Sequence, residues 1–275
     1  AGGLLVAHFT AAQIVFSQLQ LWIHAVPHMV AIGGSFVGIL LYRFVTEERE
    51  KRQIKKTFGQ YVSPHVMEEI LSDPAKLALG GSRKLLTVLF SDIRGFTTMS
   101  EGMEPEAVVA VLNEYLSAMT QVVFKYEGTL DKFIGDAVMA FWGAPIPQPD
   151  HARRAVFCAL DMMEELGKLQ EKWRTEGKHI IDIGVGVNTG DMIIGNLGSV
   201  ARMDYTVIGD NVNLASRLES TNKEFHTHII ISEATYEGVK DFIEVRPLGD
   251  VNVKGKKQAI RIFEVTGRAG AAPAA

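Results

Sequence analysis

The chain has 275 residues, of which 47% are hydrophobic and 22% charged, and a formal net charge of −4. These proportions are typical of a folded protein with room for one sizeable domain and an appendage. The slightly acidic balance offers no basic footprint, so no nucleic-acid partner is expected. The single cysteine, Cys158, excludes a disulfide framework.

The N-terminal region is more apolar than the rest of the chain. Val26 to Val45, "VPHMVAIGGSFVGILLYRFV", approaches the roughly 20 residues that a bilayer span requires. Leu4 to Ile23 is a second, more polar candidate. Basic residues follow in "TEEREKRQIKK" and favour the cytoplasmic side. We expect residues 1–46 to form one or two transmembrane helices with the remainder cytoplasmic, and a buried core helix is the alternative.

The predicted elements follow in chain order after a charged coupling helix and linker, residues 47–84. A catalytic domain is expected over residues 85–267 and a disordered tail over 268–275. Its first half reads as strand Leu85–Ser91, helix Pro105–Tyr126, strands "TLDKFI" and "AVMAFWG" around a Gly135-Asp136 hairpin turn, and helix His151–Trp173. Its second half reads as strand "IDIGVGVN", a turn at Thr189-Gly190-Asp191, strands "MIIGNLG" and "YTVIG", helix Asn211–Thr221, strand "HIIIS", a short helix, and strands "FIEVRPLG" and "AIRIFEV".

The order strand, helix, hairpin, helix, strand predicts an α+β, ferredoxin-like sheet built on a split βαβ unit. The first two strands are then parallel through a right-handed crossover, and the third strand is inserted between them. This arrangement puts the hairpin tip beside the end of the first strand. We therefore expect Asp136 to lie next to Asp92.

Two carboxylates at one sheet edge could bind divalent cations, and the glycine-containing turn beside them could bind a polyphosphate. Mg²⁺ takes few carboxylates and completes its shell with water and phosphate oxygens. Paired ions can lower the pKa of an attacking hydroxyl and stabilise a leaving oxygen. Spacing leaves the alternative open that Asp92 and Asp136 are ordinary turn residues.

Four stretches, "FSDIRGFT", "DKFIGDAVMAFWG", "YTVIGDNVNLASRLE" and "VNVKGK", together resemble the catalytic domain of class III nucleotidyl cyclases over Leu85 to Val265. The charged segment before them resembles the coupling helix of membrane-anchored bacterial members. The resemblance implies an adenylyl cyclase, a phosphorus–oxygen lyase that converts ATP to 3′,5′-cyclic AMP and pyrophosphate. It also implies two Mg²⁺ or Mn²⁺ ions per site and a head-to-tail homodimer with two equivalent sites.

The resemblance also implies a role for individual residues. Metal binding falls to Asp92, Asp136 and the Ile93 carbonyl, and phosphate binding to the backbone of Arg94, Gly95, Phe96 and Thr97 and to Lys254. Purine binding falls to Lys132 and Thr206, ribose orientation to Asn213, and transition-state stabilisation to Arg217. Asp204 is excluded from purine binding by its spacing. The metal aspartates would come from one subunit and the purine, ribose and transition-state residues from the other.

Two alternatives to an adenylyl cyclase stay open. A guanylyl cyclase typically has Glu where this chain has Lys132. A catalytically silent module that dimerises or senses nucleotide usually lacks a metal aspartate or the Asn/Arg pair, both of which are present here. Some members with Thr at the position of Thr206 respond to bicarbonate, which adds bicarbonate regulation as an option.

Overall fold

A computed structural model describes residues 2–19, 30–31, 33–46, 80–199, 202–251 and 259–270. The chain divides into two compact units, Ala1–Tyr61 and Val62–Ala275. The predicted coupling helix, the predicted phosphate ligand Lys254 and residues 271–275 of the predicted tail lie outside the described residues. Arg268, predicted to begin the disordered tail, is instead the last residue of a strand, Ile260–Arg268.

The N-terminal unit contains two described helices, α1 (Gly2–Leu19) and α2 (Gly33–Thr46). They overlap the two predicted spans, Leu4–Ile23 and Val26–Val45, although residues 20–29 and 32 are outside the described part. Large apolar side chains of α2 are exposed, among them Phe36, Val37, Ile39, Leu40, Leu41 and Phe44.

The C-terminal unit contains the eight-stranded sheet and its flanking helices. The elements are β1 (Gly80–Ile93), α3 (Phe96–Glu101), α4 (Pro105–Lys125), β2 (Thr129–Ile134), β3 (Ala137–Trp142), α5 (His151–Glu176), β4 (Ile183–Ser199), β5 (Arg202–Ile208), α6 (Asp210–Phe225), β6 (Ile229–Ser232), α7 (Glu233–Glu237), β7 (Ile243–Val251) and β8 (Ile260–Arg268). The strand order is β2-β3-β1-β4-β6-β8-β7, and β5 pairs with β4.

The pairing of the first strands confirms the predicted split βαβ unit. Strand β3 is antiparallel to both β1 and β2 and lies between them, so β1 and β2 are parallel. Strand β4 pairs antiparallel with the other side of β1. The hairpin tip between β2 and β3 therefore meets the carboxyl end of β1.

Strand β1 is buried on both faces from Leu86 onward, as its apolar run requires. Successive side chains of a strand point to opposite faces. Leu89 and Ile93 pack into the core beneath α4 and α5, whereas Val88 and Phe90 join the cluster that α6 covers through Val212. Helices on both faces thus hold the end of β1 in place.

Helix α4 is, within the described ranges, the one helix long and apolar enough to cross a membrane. Five of its side chains lie in the core of the sheet unit: Val111, Tyr115, Met119, Val122 and Val123. Packing against the sheet accounts for its apolar composition.

The predicted turn at Thr189-Gly190-Asp191 is wrong, because β4 runs through it without a break. Thr189 pairs with Thr87 across the sheet, and their hydroxyl oxygens are 2.8 Å apart. A Cβ on Gly190 would lie 2.4 Å from the side-chain nitrogen of Asn211. The glycine therefore serves the close approach of α6 to the sheet.

Strand β1 also begins earlier than predicted, at Gly80 instead of Leu85. Its first residues pair with the extended second half of β4, from Gly80 opposite Asn196 to Lys84 opposite Met192. The last residues of the predicted linker therefore belong to the sheet. Both boundary errors have one cause, the unbroken length of β4.

Candidate active site

The predicted metal ligands lie where β1 ends beside the turn between β2 and β3. The backbone N–H of Ile93 donates a 3.2 Å hydrogen bond to Oδ2 of Asp136. The turn depends on Gly135, whose φ of 65° lies in the left-handed region. The structure therefore brings Asp92 and Asp136 together, as the strand order predicts.

The charges of two carboxylates, Asp136 and Glu219, and of one ammonium, Lys223, act on the Asp92 carboxylate. Burial raises the pKa of Asp92 to about 7, and the hydrogen bond and negative charge of Asp136 and the charge of Glu219 act in the same direction. A hard divalent cation would supply positive charge and suits carboxylate oxygens. Within the described residues, no three His, Cys, Asp or Glu side chains cluster as a metal site. Water, the Ile93 carbonyl or substrate oxygens would have to complete the coordination shell.

The turn after Asp92 leads directly into helix α3. Gly95 caps this helix with a left-handed backbone, at a φ of 66°. The first N–H groups of a helix, here those of Phe96 and Thr97, have no acceptor within the helix. Thr97 is exposed, whereas Phe96 packs against the core. The turn therefore presents backbone donors beside the aspartate pair.

The side chain of Arg94 has a structural partner of its own. Its guanidinium donates to the backbone carbonyl of Thr227, and Nε lies 3.4 Å from Oδ2 of Asp182. Its backbone N–H donates a 2.8 Å hydrogen bond to the carbonyl of Asp182. Both the guanidinium and the backbone N–H of Arg94 have partners within the chain, so the phosphate prediction depends on the N–H groups of Gly95, Phe96 and Thr97.

The predicted purine-binding residues, Lys132 on β2 and Thr206 on β5, meet at a carboxylate that lies between them. The Thr206 hydroxyl donates a 2.6 Å hydrogen bond to Oδ2 of Asp131. The Lys132 ammonium lies 3.3 Å from Oδ1 of Asp131. It also lies 3.7 Å from the exposed carboxylate of Asp204, the residue that spacing excludes from purine binding.

Asn213 and Arg217 share one face of α6, because residues four apart on a helix are neighbours. Asn213 is exposed and Arg217 is partly exposed, whereas Leu214 and Leu218 are buried. The helix therefore turns both predicted residues away from its packed side. Burial of the apolar stripe fixes the direction in which they point.

The predicted site residues thus form three separate groups in one chain: the aspartate pair with its turn, the Lys132 and Thr206 pair, and the α6 face. Among the described residues, no hydrogen bond or ion pair links the aspartate pair with Lys132 or Arg217. The roles assigned to all three groups stay predictions.

Sequence reasoning missed two buried carboxylates beside these groups. The Asp131 side chain is fully buried. Glu219 is only 5% exposed, its Oε1 has no hydrogen-bond partner among the described residues, and burial raises its pKa. Glu219 could have been found, because it continues the buried stripe of α6. Asp131 lies at an irregularity in β2, where the alternation of side chains breaks, so no sequence pattern marks it as buried.

The family model of the adenylate and guanylate cyclase catalytic domain matches residues 82–266, so the chain belongs to this family. Catalytic domains of this family act as dimers on a nucleotide substrate and are generally metal-dependent. The mixed α+β fold and the position of the aspartate pair agree with this membership.

Individual relatives carry both activities in their names. Adenylate cyclase 1 of Rhizobium meliloti is 38% identical over 211 residues, which are 77% of this chain and 32% of that protein. The chain thus spans about a third of the length of this curated relative. The structure of the adenylyl cyclase CyaB from P. aeruginosa is 44% identical, covers 68% of this chain and 96% of its own, and superposes with a TM-score of 0.64. The guanylyl cyclase Cya2 is 40% identical, covers 70% and 96%, and has a TM-score of 0.66.

Proposed function

We propose that the protein is an adenylyl cyclase that converts ATP to 3′,5′-cyclic AMP and pyrophosphate. The observation that carries the proposal is the abutting Asp92 and Asp136 pair at the end of β1, beside the N–H groups of the following turn. The adenylate cyclase names of relatives at 38% and 44% identity support the reaction class. Because a guanylyl cyclase is among the similar structures, the choice of ATP rests on Lys132 and Thr206.

The aspartate pair fits a divalent cation, because the partly buried Asp92 lies beside a second carboxylate, Asp136. Asp92, Asp136 and the Ile93 carbonyl would hold Mg²⁺ or Mn²⁺, two ions per site. When bound, the ions supply Lewis-acid activation of the 3′-hydroxyl and charge neutralisation on the phosphates.

In the proposed reaction the 3′-oxygen attacks the α-phosphorus, a new P–O bond forms, and the bond to pyrophosphate breaks. The Arg217 guanidinium would stabilise the charge that develops on the phosphoryl oxygens. Asn213 would orient the ribose, and Lys254 would contact the terminal phosphates. No side chain in the three groups is an evident general base, so water or the substrate would take the proton.

The site is proposed to form between two copies of the chain. The aspartate pair would come from one subunit, and Lys132, Thr206, Asn213 and Arg217 from the other. Among the described residues of one chain, no hydrogen bond or ion pair joins the aspartate pair to Lys132 or Arg217, which agrees with this division. Each copy carries both halves, so a two-fold axis would generate two equivalent sites in a head-to-tail homodimer.

The N-terminal unit is proposed to anchor the protein in a membrane, with the cyclase domain on the cytoplasmic side. Exposed apolar side chains along α2 support the anchor. The basic residues that follow α2 support the orientation.

Cyclic nucleotide formation by the full chain tests the proposal, with ATP and GTP compared in parallel and each supplied with Mg²⁺ or Mn²⁺. We expect cyclic AMP from the wild type and a loss of at least about 100-fold in Asp136→Asn, which removes a charge at the reacting centre but little volume. Cyclic GTP in excess would favour the guanylyl cyclase alternative. No product from a folded, dimeric preparation would favour the silent module.

Adding bicarbonate to the same assay tests bicarbonate regulation, which stays a prediction.

A further inference from the structure

Asp131 lies between the two residues proposed to read the purine, and nothing in the proposed reaction yet uses it. Its side chain is fully buried. Oδ2 accepts the 2.6 Å hydrogen bond from Thr206 and faces the backbone N–H of Val207 at 3.4 Å. Oδ1 forms no hydrogen bond within the described residues and faces the Lys132 ammonium at 3.3 Å.

The donors around Asp131 favour its ionised form. A hydroxyl and an N–H point at Oδ2, and the Lys132 ammonium lies beside Oδ1. Burial raises the pKa of Asp131, while the Thr206 hydroxyl and the Lys132 charge oppose that shift. The geometry around both oxygens is that of a carboxylate, which can only accept hydrogen bonds.

The ionised Asp131 carboxylate determines whether the Thr206 hydroxyl can donate a hydrogen bond to a base. A free hydroxyl can either donate or accept, so it could pair with the amino group of adenine or with the carbonyl oxygen of guanine. A hydroxyl whose proton is committed to a carboxylate offers only lone pairs. Lys132 only donates, so it suits the unprotonated N1 of adenine and not the N1–H of guanine. Thr206 decides the neighbouring position, where adenine has an amino group and guanine a carbonyl oxygen.

We infer that Asp131 is a positioning residue that makes Thr206 a hydrogen-bond acceptor and thereby selects adenine over guanine at the base subsite. The inference rests on the proposed function, because it assumes that Lys132 and Thr206 face a purine. It assigns adenine selectivity to a buried residue that need not touch the nucleotide.

The test compares kcat/KM for ATP and GTP in the full chain and in variants of this pair. Asp131→Leu keeps the branched shape of the side chain but frees the Thr206 hydroxyl, so we expect the ATP-to-GTP ratio of kcat/KM to fall by about tenfold or more, the effect of one hydrogen bond on discrimination. Thr206→Val removes the acceptor and should lower the ratio as much. The double variant should fall no further, because both changes remove the same acceptor.

A rescue variant separates the loss of a hydrogen-bond acceptor at position 206 from a disturbance of the fold. Thr206→Asp carries its own acceptor, so adding it to Asp131→Leu should restore the preference for ATP. Asp204→Asn is the matched control, since it removes the other carboxylate beside Lys132 without touching Thr206, and its ratio should stay within about twofold of the wild type. Asp131→Asn is the second variant if the leucine does not fold. Its amide cannot meet both Thr206 and Lys132 as an acceptor, so its ratio should also fall.

Equilibrium binding of 3′-deoxyATP and 3′-deoxyGTP separates this inference from the proposed function. Wild-type preference for 3′-deoxyATP that Asp131→Leu or Asp131→Asn removes supports the inference, even if no chain makes cyclic nucleotide. Turnover with an unchanged ratio in the Asp131 variants overturns the inference and leaves the cyclase proposal standing. Equal binding of the two analogues by the wild type also overturns it.

Discussion

The partly exposed guanidinium of Arg217 is expected to act on the transition state more than on nucleotide binding. An interaction made only as charge develops lowers kcat and kcat/KM together when it is lost. We therefore predict that Arg217→Ala lowers kcat by about 100-fold and weakens binding of 3′-deoxyATP by less than about fivefold.

Single-turnover kinetics and equilibrium binding measure the two quantities for Arg217→Ala. Arg246→Ala is the matched control, because Arg246 is an exposed arginine on β7 paired with Glu264, and it should change neither quantity. A variant of Arg217 with normal kcat and weakened binding would contradict the assigned role.

At the residue scale, the sequence predicts what is local. Asp92 ends an apolar run and Asp136 follows a glycine in a hairpin turn, so both positions follow from short patterns, and their contact follows from the predicted strand order. Local patterns do not predict the role of Asp131, because that role depends on Thr206, 75 positions away in the chain. Only the tertiary fold shows which of two adjacent charges is buried.

At the scale of elements, the position of α6 depends on a glycine in β4. A Cβ on Gly186 would lie 2.2 Å from the backbone nitrogen of Glu219 and 2.3 Å from the carbonyl oxygen of Ala215. Backbone atoms cannot rotate away, so the helix would have to shift. We predict that Gly186→Ala lowers the free energy of unfolding by about 1–3 kcal/mol and impairs turnover through α6.

Denaturant unfolding checks this prediction, with Gly167→Ala in α5 as the matched control. Nothing lies within 4 Å of a Cβ at that helical position, so the control should gain about 0.5–1 kcal/mol. Equal stability of Gly186→Ala and the wild type would show that α6 does not depend on this contact.

A buried carboxylate on α5 holds that helix to α4 and β8. Asp161 accepts hydrogen bonds from Lys125 at 2.5 Å, from Tyr126 at 2.7 Å and from Arg268. Burial alone would raise the pKa of Asp161, but these donors outweigh burial and lower it. The stabilisation is therefore present above the unfolded pKa of about 3.9 and is lost as the pH falls through the folded value.

We predict that Asp161→Asn costs about 1–2 kcal/mol of unfolding free energy at pH 7, at the lower end for a buried pair because its cationic partners are partly solvated. Urea unfolding from pH 7 to pH 3 checks it. The difference from the wild type should shrink below about pH 4. A difference that is constant with pH would mean that packing, and not charge, explains the loss.

The order of elements follows from the sequence more closely than their lengths do. Apolar periodicity and the Gly135-Asp136 turn predict the split βαβ unit, and the strand order confirms it. The glycine at position 190 misled the reading of β4, because a glycine needed for close helix packing looks the same in sequence as one needed for a turn. A local sequence pattern does not show which helix packs against a given strand residue.

At the scale of the whole molecule, the proposed site needs two chains to bring its three groups of residues together. Asp136 belongs to one half of the proposed site and Arg217 to the other. A chain defective in one half can then complement a chain defective in the other, because a mixed dimer holds one intact site and one doubly defective site.

Cyclic AMP formation by co-expressed Asp136→Asn and Arg217→Ala chains is therefore the most direct measurement. Each variant alone should be nearly inactive, and random pairing should restore about a quarter of wild-type activity, because half of the dimers carry one intact site of two. A mixture no more active than the single variants, beside an active wild type, would contradict the shared site. A wild type without cyclic AMP would contradict the adenylyl cyclase itself.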